Sequence, residues 1–288
     1  MAKNIPPLQV QANSISEAWE KSVLKLWERG MEIPTEYDSP GDKRSKDCTM
    51  RIVVWNPFSE PRIHLGFPGG IEDLEKYRQE VVNGIHDSWI SPEDKKWTYT
   101  YHKRLTDYNG TNQLDKIVDQ LEKAFYSRRA QGITWMPKED ALAPDPPCLQ
   151  RVWCRVLEND SEKKEKEYFL EMHTSWRSRD AYRAAYMNMY GLTEMQKELA
   201  KQLSERKGIE IKVGQYVDTS DSYHIYGSSF ADFEKRFLKL HKERKFYSPE
   251  SGKGRTLMMN DEAVIAGIEY GKSLIEQEKT SGTKGSTG

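Results

Sequence analysis

Between Asp145 and Asn188 the chain carries two features that could do chemistry together: a thiol behind two prolines, Pro146-Pro147-Cys148, and a guanidinium beside a hydroxyl, Arg177-Ser178. A lone cysteine is ordinarily a small, inert hydrophobe. Cys148 differs because the double proline fixes the approach of the chain, a strand follows at once, and arginine-rich segments lie on both sides in sequence. Nearby cations and a fixed position are what a nucleophilic thiol needs. Cys48 and Cys154 lack that setting, and Cys154 alternates with Val152 and Val156, which reads as core. Arginine pairs are more often solvated surface than ligand sites. Here Arg177-Ser178 and Arg128-Arg129 supply two sets of planar forks able to hold a phosphate dianion bidentately, which lysine cannot do. His224 and Tyr226 fall on one face of a short strand, where they are either core or within reach of a sugar hydroxyl. If the two halves meet in space, the chain is a cysteine-nucleophile enzyme acting on a phosphorylated substrate.

Other chemistries find less support. No Cys or His pair has zinc-ligand spacing, so no metal is expected. No Walker or GxGxxG glycine pattern is present either. The 288 residues carry 44 Lys plus Arg against 45 Asp plus Glu, so no overall field draws the chain to DNA or membrane, and anion binding must be local. Three cysteines without paired spacing suggest a reducing compartment. The start lacks the features of a signal peptide and no apolar run reaches about 18 residues, so a cytoplasmic protein is the expectation.

The positioning elements follow from periodicity. Ser14 and Ser16 can cap a helix through Trp27 that Gly30 ends, and Met50 to Trp55 reads as a buried strand. Asn56 to Gly70, dense in proline and glycine around Glu60, Arg62 and His64, is irregular backbone of the kind that often holds sites. Helical spacing predicts a helix over about 71–89, then a loop with Tyr99 and Tyr101, then a shorter helix ending at Ser127. Gly132 to Met136 and Leu149 to Leu157 read as strands, the second with strict alternation and a hairpin partner at Glu167 to His173. The longest amphipathic helix starts at Asp180 and stops near Gly208; strands at Ile209 to Val217 and Asp221 to Tyr226 and two last helices follow. One α+β domain over 1–278 is expected, with 279–288 a disordered tail.

Ser127-Arg128-Arg129, Pro146-Pro147-Cys148, Arg177-Ser178-x-Asp180 with Asn188, and Asp221 with His224-Ile225-Tyr226, in this order and spacing over roughly residues 100 to 230, resemble the folate-type, non-flavin thymidylate synthases, most of all their archaeal branch. The resemblance implies a large mixed sheet with helices packed on one side and a sheet-to-sheet homodimer with shared active sites. It implies that Cys148 attacks C6 of dUMP, that Arg177 and Ser178 hold the phosphate while Arg177 lowers the thiol pKa, and that Arg128 and Arg129 reach the neighbouring subunit's phosphate. Asn188 would read uracil O4 and N3, His224 and Tyr226 the 3′-hydroxyl, and Asp180 the pterin of 5,10-methylenetetrahydrofolate. Tyr101, or failing it Tyr99, would serve the proton-abstraction network. Glu60 would assist protonation at O4, its alternative being a plain loop glutamate, since a walled-in carboxylate can carry the raised pKa that acid-base work requires.

The chain departs from the family pattern where Leu149 replaces a histidine, Trp176 a glutamine and Ala184 a glycine, and its C-terminal motif does not align. These changes cluster around the carbon donor, which leaves a tetrahydromethanopterin-type carrier open. Two other functions stay in view: a pyrimidine nucleotide 5-hydroxymethylase of the same superfamily, and a non-catalytic homologue that binds nucleotide or RNA.

Overall fold

A computed structural model of the chain describes residues 4–91, 97–159, 166–250 and 252–281. β1 (Pro7–Ala12) leads into α1 (Ile15–Arg29), where the Ser14 hydroxyl accepts from the backbone N–H of Glu17 and so satisfies a free donor of the first turn. β2 (Met31–Ile33), β3 (Ser45–Val54) and β4 (Ile63–His64) precede α2 (Ile71–Asn83). α3 (Tyr101–Thr106), α4 (Gln113–Lys123), β5 (Gln131–Ile133) and α5 (Pro137–Asp140) lead to the paired strands β6 (Leu149–Asn159) and β7 (Glu167–Asp180). α6 (Ala185–Lys207) and β8 (Ile211–Ile225) follow. Then come α7 (Phe230–Asp232), a π-helical stretch (Phe233–Leu238), α8 (Lys239–Glu243), β9 (Thr256–Leu257) and α9 (Glu262–Ser281).

The main sheet runs β1-β3-β8-β7-β6-β5, with β2 pairing the start of β3; β4 and β9 form a separate ladder. β1 is parallel to β3 and β7 to β8, while β3–β8, β6–β7 and β5–β6 are antiparallel, so the sheet is mixed. Helices α1 and α6 cover one face and bury Trp19, Leu26, Tyr186, Met189 and Leu192 against Met50, Ile52, Val152, Leu170 and Tyr216. The fold is α+β with helices on one side, as expected. On the other face Arg51 and Arg151 are exposed, and Trp153, Arg155, Glu171 and His173 are partly so.

Several local expectations change. The helix predicted over 71–89 stops at Asn83, because Gly84 turns left-handed (φ 64°); Asp87 to Trp89 form only a short 3-10 turn. Tyr101 opens α3 rather than lying in a loop, with Thr100 as its side-chain cap. Ile211–Ile225 is one continuous strand, since the polar stretch Asp218 to Ser220 keeps its pairing to β3 and β7. β1 and β2 carry no signal strong enough to have been read. α9 continues to Ser281; the rest of the tail expected to be disordered lies outside the described residues.

Candidate functional site

Cys148 sits at the mouth of β6, where antiparallel pairing to β7 sets Leu149 opposite Trp176 and a register shift falls between Leu149 and Arg151. Such an irregularity re-aims the side chains beside it. The Arg177 N–H donates to the carbonyl of Cys148 at 3.0 Å. The Arg177 guanidinium donates through Nε to Pro147 O (3.1 Å) and through Nη2 to Pro146 O (2.6 Å). The double proline therefore presents carbonyls to the arginine, and the two halves of the motif do meet. Gln150 Nε2 also donates to Pro147 O, at 2.8 Å. The Tyr101 hydroxyl accepts from the N–H of Leu149 at 3.3 Å, and its ring stands edge-on to Trp176 at 5.8 Å.

Burial pushes the Cys148 thiol above its ordinary pKa; the Arg177 charge pulls it down, Asp145 pushes it up and Arg179 pulls it down again. The expected lowering by Arg177 is thus present but is outweighed by desolvation. Burial likewise raises Tyr101, with the nearby Cys148 adding to the effect.

Parallel pairing of β7 with β8 places Ser178 opposite Ser222 and Asp180 opposite His224. Asp47 accepts from the Ser222 hydroxyl at 2.6 Å, and Ser222 Oγ lies 3.2 Å from His224 Nδ1. With the serine proton committed to Asp47, Nδ1–H is the donor in the second contact. The Nε2 lone pair is left without a partner among the described residues. Burial lowers the His224 pKa to about 4, so the ring is neutral near pH 7 and Nε2 can accept from a ligand hydroxyl. Tyr226 stands edge-on to that ring at 4.5 Å. Gly227 follows, where an added Cβ would run into the backbone carbonyl of Lys43, so a side chain there would displace the turn.

Asp180 Oδ1 accepts from the backbone N–H groups of Tyr182 (2.9 Å) and Arg183 (2.8 Å), stitching the turn that admits α6, which has no side-chain N-cap of its own. Burial raises this carboxyl to about 6 against the opposing effect of those N–H groups. Asn188, in the first turn of α6, donates through Nδ2 to the Tyr77 hydroxyl (2.7 Å) and accepts at Oδ1 from Arg179 Nε (3.3 Å). Arg179 is itself fully engaged, paired to the buried Asp218, donating to Ala185 O at 2.8 Å and lying over the Trp176 ring at 4.3 Å.

Two groups of expected residues lie elsewhere. Arg128 and Arg129 are exposed beside Trp153, whose Nε1 donates to Arg128 O at 3.1 Å. That is five residues along β6 from Cys148, roughly 16 Å at about 3.3 Å per residue. Glu60 is exposed, and its carboxylate accepts from the N–H groups of Arg62 (2.8 Å) and Met259 (3.2 Å), so its contacts are with the start of the C-terminal segment. A cavity of about 760 Å³ opens beside the site, with Tyr77, Trp97, Tyr99, Tyr101 and Met187 as apolar wall and Lys76, Arg183 and Arg236 among its charged groups. Tyr77, Arg179 and Asp218 were not singled out from sequence. Only the unusual tryptophan at 176 hinted at the buried unit they form. Among the described residues no cluster of His, Cys, Asp and Glu could hold a metal ion, and no helix is long and apolar enough to cross a membrane.

The family model described as thymidylate synthase matches residues 48–251. A protein of Methanosarcina mazei provisionally named a thymidylate synthase is 28% identical over 220 residues, covering 75% of this chain and 88% of its own length. One of Methanothermobacter thermautotrophicus, named in the same way, is 28% identical over 240 residues, covering 78% and 96%. Among solved structures, thermostable thymidylate synthase A from Bacillus subtilis superposes with a TM-score of 0.55 at 16% identity, over 83% of this chain and 87% of that one.

Proposed function

Because the chain belongs to the thymidylate synthase family, we propose that it methylates dUMP reductively to dTMP, drawing on a methylene-charged reduced pterin, with Cys148 as nucleophile. The observation that supports this reading is the lock between Arg177 and the carbonyls of Pro146 and Pro147, which holds the guanidinium on the segment that leads into Cys148. Addition of the Cys148 thiolate at C6 of the uracil ring turns C5 into an enolate-type carbon nucleophile, which divides one difficult substitution into easier steps. When bound, the pterin supplies the one-carbon unit and then a hydride. Arg177 and Ser178 anchor the phosphate, His224 Nε2 and Tyr226 take the 3′-hydroxyl, and Asn188 reads O4 and N3. Tyr101 relays the C5 proton, a role supported by its hydrogen bond to the N–H of Leu149, the residue after the nucleophile. Asp180 holds the pterin, for which the adjoining aromatic cavity offers a flat wall. Arg128 and Arg129 complete the site of a second subunit in a homodimer joined through the open sheet face.

The decisive experiment incubates the protein with 5-fluoro-dUMP and either methylenetetrahydrofolate or its tetrahydromethanopterin analogue. Digestion and mass spectrometry then locate any adduct. The expected result is a ternary adduct on the peptide carrying Cys148 with one carrier. Nucleotide binding with no adduct from either carrier overturns the enzymatic reading. Turnover of dUMP itself identifies the product, and 5-hydroxymethyl-dUMP in place of dTMP would establish the hydroxymethylase instead.

A further inference from the structure

An amide side chain reads a pyrimidine correctly only if its two ends are the right way round. Uracil offers an acceptor at O4 and a donor at N3–H, whereas cytosine offers a donor at its amino group and an acceptor at N3. Asparagine can present either pattern by a half-turn about χ2, so selectivity requires something to hold the turn. Arg179 is placed to do that. A guanidinium only donates, so the group that faces Arg179 Nε must be the acceptor Oδ1. Nδ2 is then directed to the Tyr77 hydroxyl. One N–H of Nδ2 and one lone pair of Oδ1 remain unused, and with Oδ1 held toward Arg179 they can meet a pyrimidine in one order only, which in a uracil site pairs Nδ2–H with O4 and Oδ1 with N3–H. Turning the amide over to suit cytosine would set its NH2 against a buried cation.

The holding group cannot readily move. Arg179 and Asp218 are both buried, their charges are paired, Nη2 is tied to Ala185 O, and Trp176 lies against the guanidinium face. Tyr77 is the weaker of the two neighbours as an orienting group, because a hydroxyl can donate or accept and would tolerate either end of the amide. We propose that Arg179, locked by Asp218 and Trp176, is a positioning residue that fixes the amide of Asn188 and thereby makes the site select uracil over cytosine nucleotides. This rests on the reading of the site as a pyrimidine nucleotide site.

The test compares binding of dUMP and dCMP by calorimetry in the wild-type chain and in Arg179→Gln, Arg179→Lys and Tyr77→Phe, with circular dichroism and a melting curve as the check on folding. Glutamine can donate or accept and so permits both amide orientations; lysine still only donates. The dUMP-to-dCMP affinity ratio should fall by about tenfold or more in Arg179→Gln, the scale on which a mismatched buried polar contact discriminates. It should be retained in Arg179→Lys and in Tyr77→Phe. A merely structural role for Arg179 would weaken both nucleotides together and leave the ratio unchanged; that outcome in a folded Arg179→Gln overturns the proposal. If Arg179→Gln does not fold, loss of the ratio in Tyr77→Phe overturns it and retention supports it. A wild-type chain that binds neither nucleotide sinks the functional reading along with this one. One that binds dUMP while the variants fail as described sinks this one alone.

Discussion

At the scale of single residues, the site combines a desolvated thiol with charges of both signs, and each charge has a measurable effect. Since Arg177 pulls the Cys148 pKa down and Asp145 pushes it up, the pH midpoint for alkylation of Cys148 by iodoacetamide should rise in Arg177→Ala and fall in Asp145→Asn. Cys148→Ser should lower turnover of dUMP by about a thousandfold or more while dUMP still binds, because a serine hydroxyl is a far weaker nucleophile than a thiolate. Asp180 supplies a pH dependence. Its carboxyl titrates near 6 in the folded chain against 3.8 ordinarily, so the carboxylate that would hold the pterin is present above pH 6 and lost as pH falls through it. The KM for the carrier should therefore climb on the acid side of about pH 6, and Asp180→Asn should abolish that limb. The same shift has a sign for stability: the folded state keeps a proton that the unfolded state releases between pH 3.8 and about 6, so stability declines as pH rises through this window. Asp180→Asn retains an acceptor for the turn but carries no charge to desolvate, so it should melt higher than wild type at pH 7.5 and not at pH 4. The residues proposed for chemistry were legible in the sequence because short motifs bring unusual types together. Arg179 was not, since one more arginine in a charged chain carries no mark and its counter-ion, Asp218, lies on another strand.

Elements decide how these residues are held, and glycine packing is one of the means. Gly191 lies inside α6, where glycine is ordinarily worse than alanine by about 0.5–1 kcal/mol. A Cβ there would come within 2.8 Å of the Tyr77 ring. Gly191→Ala should therefore destabilise by about 1–3 kcal/mol in denaturant titrations rather than stabilise, because it overpacks the α2–α6 seam. α9 packs on α2 and supports the cavity wall through it. Its Glu278 pairs with Lys76 at 2.5 Å and lies 3.5 Å from His86, both of which line the cavity wall, and it belongs to a segment beyond the family match. Removing that support with Glu278→Gln should raise the KM for the carrier several-fold, with little change in the affinity for dUMP measured alone. Periodicity revealed α1, α4, α6 and the β6–β7 hairpin because each has one apolar face against the core. It overran α2 because Ile85 and Trp89 keep the spacing while Gly84 turns the backbone. β1 escaped notice because it opens on Pro7 and is half exposed, so its only pronounced feature is its pairing with β3.

As a whole molecule the chain presents a sheet with one face under helices and the other bearing Arg51, Arg151, Trp153 and His173. Arg128 and Arg129 project at a distance from the chain's own Cys148, which suits contribution to a second copy. If the proposed shared sites form, two inactive variants, Cys148→Ala and Arg128→Ala with Arg129→Ala, should regain dUMP turnover when unfolded and refolded together, because a mixed dimer would contain one intact site. No recovery on mixing would argue for sites complete within one chain. The fold class could be read from the alternation of strands and helices, whereas the open sheet face entered only through the family resemblance, because in sequence Arg51 and Arg151 look like ordinary solvated surface.

The central pairing of β3 with β8 also bears on synthesis. Cys48 and Tyr223 touch across it although 175 residues separate them. At about 5–20 residues per second, a ribosome leaves β3 waiting roughly 10–35 seconds for its partner. During that interval Met50, Ile52 and Val54 form an apolar strip on a strand paired with β1 and, at its start, β2. The nascent chain thus depends on α1, made just before β3, to shield it until the remainder of the sheet emerges.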